Sequence, residues 1–406
     1  MSTRAQAAGA LLRDRTGDQR VTNIELFFDL VYVFAVTQLS HHLLAEPTVR
    51  GALQSALLLA MVWLLWSYTT WVTNWIDPER TVVRVVLVVL MLIGLAMSAA
   101  LPRAFAGLGW VVGAGYAVQQ VGRSAFMVAA LRRPPGQRPA GEALARNFER
   151  ILAWCVLSGA LAVAGGVATG PWRYALWILA VATDVTGGLA GFWTPGLGRS
   201  LTRDWTIEGG HFAERCQAFI LIALGESIVI IGATLSAARH IAGTAVWAFV
   251  AAFAGSVSLW WLYFDRSAQA SAAVIAASED PGRIARAAYH LIHPVMVAGI
   301  IVAAAGDDKI LTGPAAHASA PSAWMILGGP GLFLAGHAAF KAVVWRITPW
   351  TRLAGTLVLA LLAFLVPVLP ETALAACAAA VVACVAAADR RVHPDLAAGA
   401  PGSVSA

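Results

Sequence analysis

Charge is scarce in this chain. Only 12% of its 406 residues are Asp, Glu, Lys or Arg, and 59% are apolar. A soluble domain carries roughly a quarter charged residues, and a water-facing surface cannot be tiled with so few. The composition therefore excludes a soluble globular enzyme, and a mean hydropathy of +0.71 excludes disorder. Cysteine is scarce too. Cys155, Cys216, Cys377 and Cys384 lie mostly inside apolar runs and show neither metal-ligand spacing nor a disulfide framework. No P-loop, dinucleotide fingerprint or zinc signature is present, so no metal and no cofactor is expected. No long polar stretch marks a separate soluble domain, and no apolar core precedes a cleavage site near the N-terminus. The net charge is +6, but the basic residues are scattered between apolar runs. That pattern fits membrane orientation and not nucleic-acid binding.

Apolar sequence is what the chain has in quantity. One crossing needs about 20 mostly apolar residues. Reading in that window predicts spans at 24–44, 53–75, 81–101, 106–130, 151–169, 173–193, 211–236, 242–264, 284–305, 323–345, 352–369 and 371–388. The expected fold is all-α, a polytopic bundle of about twelve transmembrane helices. The last two segments are closely spaced around Pro367 and Pro370, which leaves eleven spans or a hairpin open. With the N-terminus in the cytoplasm, one side collects Arg4, Arg13, Arg15 and Arg20; Arg80 and Arg84; Arg132, Arg133, Arg138, Arg146 and Arg150; Arg199, Arg203 and Arg215; Arg266, Arg283 and Arg286; Lys341, Arg346 and Arg352; and Arg390 and Arg391. The other side keeps only Arg50, Arg103, Arg173, Arg239 and Lys309. This alternation predicts both termini inside and an inner, cytoplasmic-membrane location.

Three local matches recur in the same order. Asp77-Pro-Glu-Arg80 parallels Asp280-Pro-Gly-Arg283, Glu25…Asp29 parallels His211-Phe-Ala-Glu214-Arg215, and Gly122-Arg123-Ser-Ala-Phe126 parallels Gly336-His337-Ala-Ala-Phe340. They suggest two parallel six-helix repeats. The expected organisation is a cytoplasmic tail (1–20), a first half (21–200), a second half (201–389) and a disordered tail (390–406). Asp-Pro-x-Arg is also a common way to start a helix, with Asp as cap and Pro in the first turn.

Ionisable residues inside spans are costly and mark candidate sites. Glu25 and Asp29 are four apart and share a helix face. Together with Glu214 and Glu226 they are the candidate proton-relay or general-acid groups. Asn74, Asp77, Arg80, Arg84, Arg123, Arg215, Asp280, Arg283 and Arg286 are the candidate substrate-binding groups. On the orientation above these converge on the cytoplasmic side, where a polar cavity is expected. His290, His293, His337 and Lys341 fall in the same half of the membrane. Arg80, Arg84, Arg283 and Arg286 read equally well as interfacial anchors, Arg123 as a structural ion-pair partner, and Glu25 as a helix-start charge. His41-His42 reads as an interfacial pair and not as a metal site.

Several of these segments are long and specific. Glu25-Leu-Phe-Phe-Asp-Leu-Val-Tyr-Val-Phe-Ala-Val-Thr-Gln-Leu-Ser-His-His42, Thr73-Asn-Trp-Ile-Asp-Pro-Glu-Arg80, Gln120-Val-Gly-Arg123, Gly191-Phe-Trp-Thr-Pro-Gly-Leu-Gly-Arg199, His211-Phe-Ala-Glu-Arg-Cys-Gln217, Leu224-Gly-Glu-Ser227 and Asp280-Pro-Gly-Arg283 resemble the bacterial low-temperature-requirement protein A family. The resemblance runs over about residues 21–305. It implies a multi-pass membrane protein and brings no settled molecular activity. Two functions remain open on the residues. One is a transporter, proton- or ion-coupled through Glu25, Asp29 and Glu226. The other is a membrane-embedded enzyme in which Arg80, Arg84, Arg283 and Arg286 hold the phosphate of an isoprenoid or other lipid and Asp29 or Glu226 acts as general acid. A structural or stress-adaptation role is the third. Expected partners are membrane lipids and a small-molecule, ion or lipid substrate, with no nucleic acid.

Overall fold

The computed structural model describes residues 11–13, 21–132, 139–200, 209–237, 243–265, 270–271, 274–275, 278 and 280–392. Most of the two tails expected at 1–20 and 390–406 lies outside these residues. Every named element among them is helical: α1 (Asn23–Ala45), α2 (Val49–Thr73), α3 (Thr81–Ala100), α4 (Gly109–Leu131), α5 (Pro139–Val167), α6 (Pro171–Leu189), α7 (Gly209–Ala237), α8 (Gly243–Phe264), α9 (Pro281–Ala285), α10 (His293–Thr312), α11 (Ala320–Trp345), α12 (Trp350–Leu362) and α13 (Glu371–Val392). A π-helical segment, Arg286–Ile292, joins α9 to α10.

Each of the twelve apolar segments lies mainly on helix, and among the described residues nine helical stretches are long and apolar enough to cross a membrane. The segments around Pro367 and Pro370 form two separate helices, α12 and α13. The helix α3 shows why the chain needs lipid. Val83, Leu87, Leu90, Met91 and Met97 are buried, yet the opposite face exposes Val82, Val85, Val88, Val89, Leu92 and Leu95. A helix apolar all round belongs in a hydrocarbon solvent.

The helix ends follow local chemistry. Glu25, three residues after Thr22, reaches back to accept the Thr22 N–H at 3.0 Å, half of a capping box. Ser319 and Ser322 form a full one at the start of α11, which ends on Arg346 at φ 56°. Asp280 caps α9 by accepting from the Arg283 N–H. The carbonyls orphaned at the C-terminus of α5 are taken by Arg173, whose guanidinium donates to Gly165 O, Gly166 O and Ala168 O as well as to Ala104 O.

The chain divides into two compact units. The first comprises Met1–Leu39 and Ala56–Arg215, and the second Ser40–Ser55 and Cys216–Ala406. The boundary cuts α7 between Arg215 and Cys216, so the His211…Arg215 motif belongs with the first unit. In that unit α4 and α5 touch backbone to backbone. A Cβ on Gly113 would sit 2.3 Å from the Ala162 carbonyl oxygen. In the second unit α10 and α11 cross in the same manner, with a Cβ on Gly329 placed 2.4 Å from the Ala303 nitrogen. Small residues at crossings are how membrane helices gain van der Waals contact without a hydrophobic drive.

Candidate functional site

The first turns of α1 and α7 and the last turns of α2 place Glu25, Asp29, His211, Arg215, Trp66, Thr73 and Asn74 in one cluster, all buried. Glu25 and Asp29 face the same way because one helical turn separates them. His211 and Arg215 repeat that spacing on α7. Arg215 fits between the carboxylates. Its Nε donates to Asp29 Oδ2 at 3.0 Å, its Nη2 to Asp29 Oδ1 at 2.5 Å and its Nη1 to Glu25 Oε1 at 3.1 Å. Phe28 and Trp66 flank the guanidinium at 6.0 and 5.9 Å. The Trp66 indole N–H closes Asp29 at 2.6 Å.

Glu25 is gripped from the other side by Arg13, whose Nη2 donates to Oε2 at 2.7 Å. The segment that carries Arg13 is itself docked on the end of α2. Its N–H donates to Trp75 O, and the Asp77 N–H donates to Leu11 O. His211 Nε2 lies 3.0 Å from Glu25 Oε1, and its Nδ1 lies 3.4 Å from Asn74 Nδ2. A neutral imidazole protonated at Nε2 satisfies both contacts, donating to Glu25 and accepting from Asn74. Two carboxylates thus balance two guanidinium groups, with an imidazole wired to one of them. All the carboxylate oxygens are occupied by N–H or O–H donors, which makes the cluster a poor home for a metal ion.

A second polar layer lies in the same unit, and of its members only Arg123 is among the candidates the sequence offers. Asp184 on α6 is buried, and its Oδ2 accepts from the Tyr116 hydroxyl and, at 2.5 Å, from Gln120 Nε2. Gln120 in turn accepts from Arg123, which also donates to Thr69 Oγ1 at 3.2 Å and sits over the Tyr68 ring. Arg123 therefore reaches a carboxylate through an amide and not directly. Tyr32 donates to Gln119 Oε1 at 2.6 Å. Asp184 Oδ1, Gln119 Nε2 and Arg123 Nε lack a hydrogen-bond partner among the described residues. Along α1, Glu25, Asp29 and Tyr32 sit at i, i+4 and i+7, one buried face spanning about 10 Å of helix.

The remaining candidates have other surroundings. Arg80 is exposed and pairs with Asp77 at 3.1 Å; Arg84 is exposed and pairs with Glu79 at 2.6 Å. Arg283 is exposed with its guanidinium 4.0 Å from Asp280, and Arg286 is half-buried on the π-helical segment. Glu214 is exposed and accepts the Val21 N–H. Glu226 is half-buried. In the second unit, Asp389 on α13 holds Arg352 through two bonds of 2.6 and 3.1 Å and Lys341 at 3.0 Å. Arg352 Nε also donates to His337 Nδ1 at 3.4 Å. There the sequence pointed to His337 and Lys341 but not to their partners. His42 is buried against Gln54 at 3.2 Å.

Apolar helices carrying a buried, charge-balanced network define a multi-pass integral membrane protein. The chain belongs to the bacterial low temperature requirement A protein family, whose model matches residues 20–387. It is 35% identical over 366 residues to an uncharacterized protein of Rhizobium meliloti (strain 1021), covering 90% of this chain and 88% of that one. No solved structure matches it.

Proposed function

We propose that this protein is a proton- or ion-coupled transporter of the inner membrane, crossing it about twelve times with both termini in the cytoplasm. The alternation of basic loops supports that topology, and the ordered motif matches support two six-helix repeats of like orientation. The observation that carries the reading is the Glu25–His211–Arg215–Asp29 network. Burying ionised groups costs several kcal/mol each, and a buried pair is no gain over apolar packing. A cluster whose balance depends on one proton has a use beyond stability.

The network offers a coupling step. A proton taken up on Glu25, directly or by way of the His211 imidazole, cancels the charge that holds Arg13. Arg215 keeps Asp29 through two bonds, whereas Arg13 loses its carboxylate partner. Uptake at one atom thereby frees the Arg13 guanidinium from its carboxylate, while the backbone bonds that dock its segment on Trp75 and Asp77 remain. The buried face that continues through Asp29 to Tyr32 supplies further polar groups along the same helix. The enzyme reading is less favoured, because Arg80 and Arg84 spend their charge on neighbouring carboxylates.

The test is proton flux in proteoliposomes carrying a pH-sensitive dye, driven by a potential or by candidate solutes. Glu25→Gln lowers flux at least tenfold in protein that still runs as a single species on gel filtration. Folded Glu25→Gln protein with flux equal to the parent removes the coupling role.

A further inference from the structure

We propose that the second unit holds a binding site for a single monovalent metal cation, sodium by its hard-oxygen chemistry, centred on Asp307. Asp307 lies on α10 just after the apolar run that ends at Gly306, is half-buried, and accepts no hydrogen bond or ion pair at its carboxylate among the described residues. It lines a small, partly open cavity with about 30 Å³ of space for the centre of a water-sized particle. One water needs roughly 10–15 Å³ on that measure, so the space suits one ion with or without a single water. An unpartnered carboxylate beside such a cavity calls for a counter-charge.

The lining supplies the rest of the coordination. Ser227 of α7 and Ser256 of α8 face the same cavity, and so do Ile326 and Pro330 of α11. Those last two are four residues apart. Pro330 has no N–H, so the Ile326 carbonyl loses the donor that a regular helix would give it. A carbonyl released by a helix break is a recurrent cation ligand in transporters. One carboxylate, two hydroxyls and one carbonyl make an all-oxygen set of net charge −1. That charge matches a monovalent ion, whereas divalent ions draw on more carboxylates or retain several waters. The remaining walls are mainly aliphatic, including alanines of α13.

This site does not depend on the Glu25 network, since binding is read at equilibrium with no gradient. The full-length protein in nanodiscs is titrated with NaCl against choline chloride at fixed ionic strength and fixed pH. The readouts are 22Na+ retention and the melting temperature. Saturable sodium binding that raises the melting temperature is expected. Asp307→Asn abolishes both effects, and Ser256→Ala weakens binding about tenfold. Ser256→Ala also serves if Asp307→Asn fails to fold. Absence of saturable 22Na+ binding in the parent overturns the proposal. So does parent-like affinity in folded Asp307→Asn, or a melting temperature that does not respond to sodium.

Discussion

Arg215 holds both oxygens of Asp29 while a third nitrogen of the same guanidinium reaches Glu25, and none of the three side chains is exposed to solvent. Removing one partner and removing both should therefore have very different costs. Asp29→Leu alone leaves a buried cation without its main counter-charge, and a loss of about 3–5 kcal/mol is expected. Asp29→Leu with Arg215→Met should recover most of it. Thermal or denaturant unfolding of the two single variants and the pair in detergent measures this cycle, and a purely additive result would contradict the paired arrangement.

Asp389 stands in a related position, with one carboxylate serving both Arg352 and Lys341. Asp389→Asn should cost more than either Lys341→Met or Arg352→Met, because it leaves two cations behind. Comparative melting temperatures of the three variants give the order.

The surface pairs predict the opposite. Arg80 and Asp77 are partly exposed, and ion pairs of that kind contribute about 0–1 kcal/mol. Arg80→Gln should leave the unfolding midpoint nearly unchanged, and a large drop would place Arg80 in a deeper role.

Two glycines of α4 separate packing from propensity. Gly113→Ala must push against the Ala162 carbonyl, and a loss of about 1–3 kcal/mol is expected. Gly122 has nothing within 4 Å of its Cβ position, so Gly122→Ala should stabilise the helix by about 0.5–1 kcal/mol. The same unfolding assay reads both signs.

The layout of helices was legible in the sequence because a membrane span is signalled by length and apolarity alone, and each apolar segment lies mainly on helix. Glu25, Asp29 and Arg215 stood out for the same reason, as charges in an apolar context. Their pairing was not legible, since spacing along one helix says nothing of which distant helix faces it. Arg13 was read as a tail charge because only its docking against Trp75 and Ile76 brings it to Glu25. Asp184 falls inside the predicted span 173–193, and an acid in that position is itself the signal of a buried polar site. Asp307 falls two residues beyond the predicted span 284–305, so the span boundary leaves it among the loop charges. The roles of Arg80 and Arg283 were ambiguous because Asp-Pro-x-Arg serves helix initiation as well as binding.

The docking of Arg13 also bears on how the protein can be handled. A chain trimmed to begin at its first span would enter the bilayer with one carboxylate short of a neutralising group. Versions shortened past Arg13 are thus altered proteins in a chemical sense, and phenotypes obtained with them report on that deficit as well as on whatever was meant to be measured.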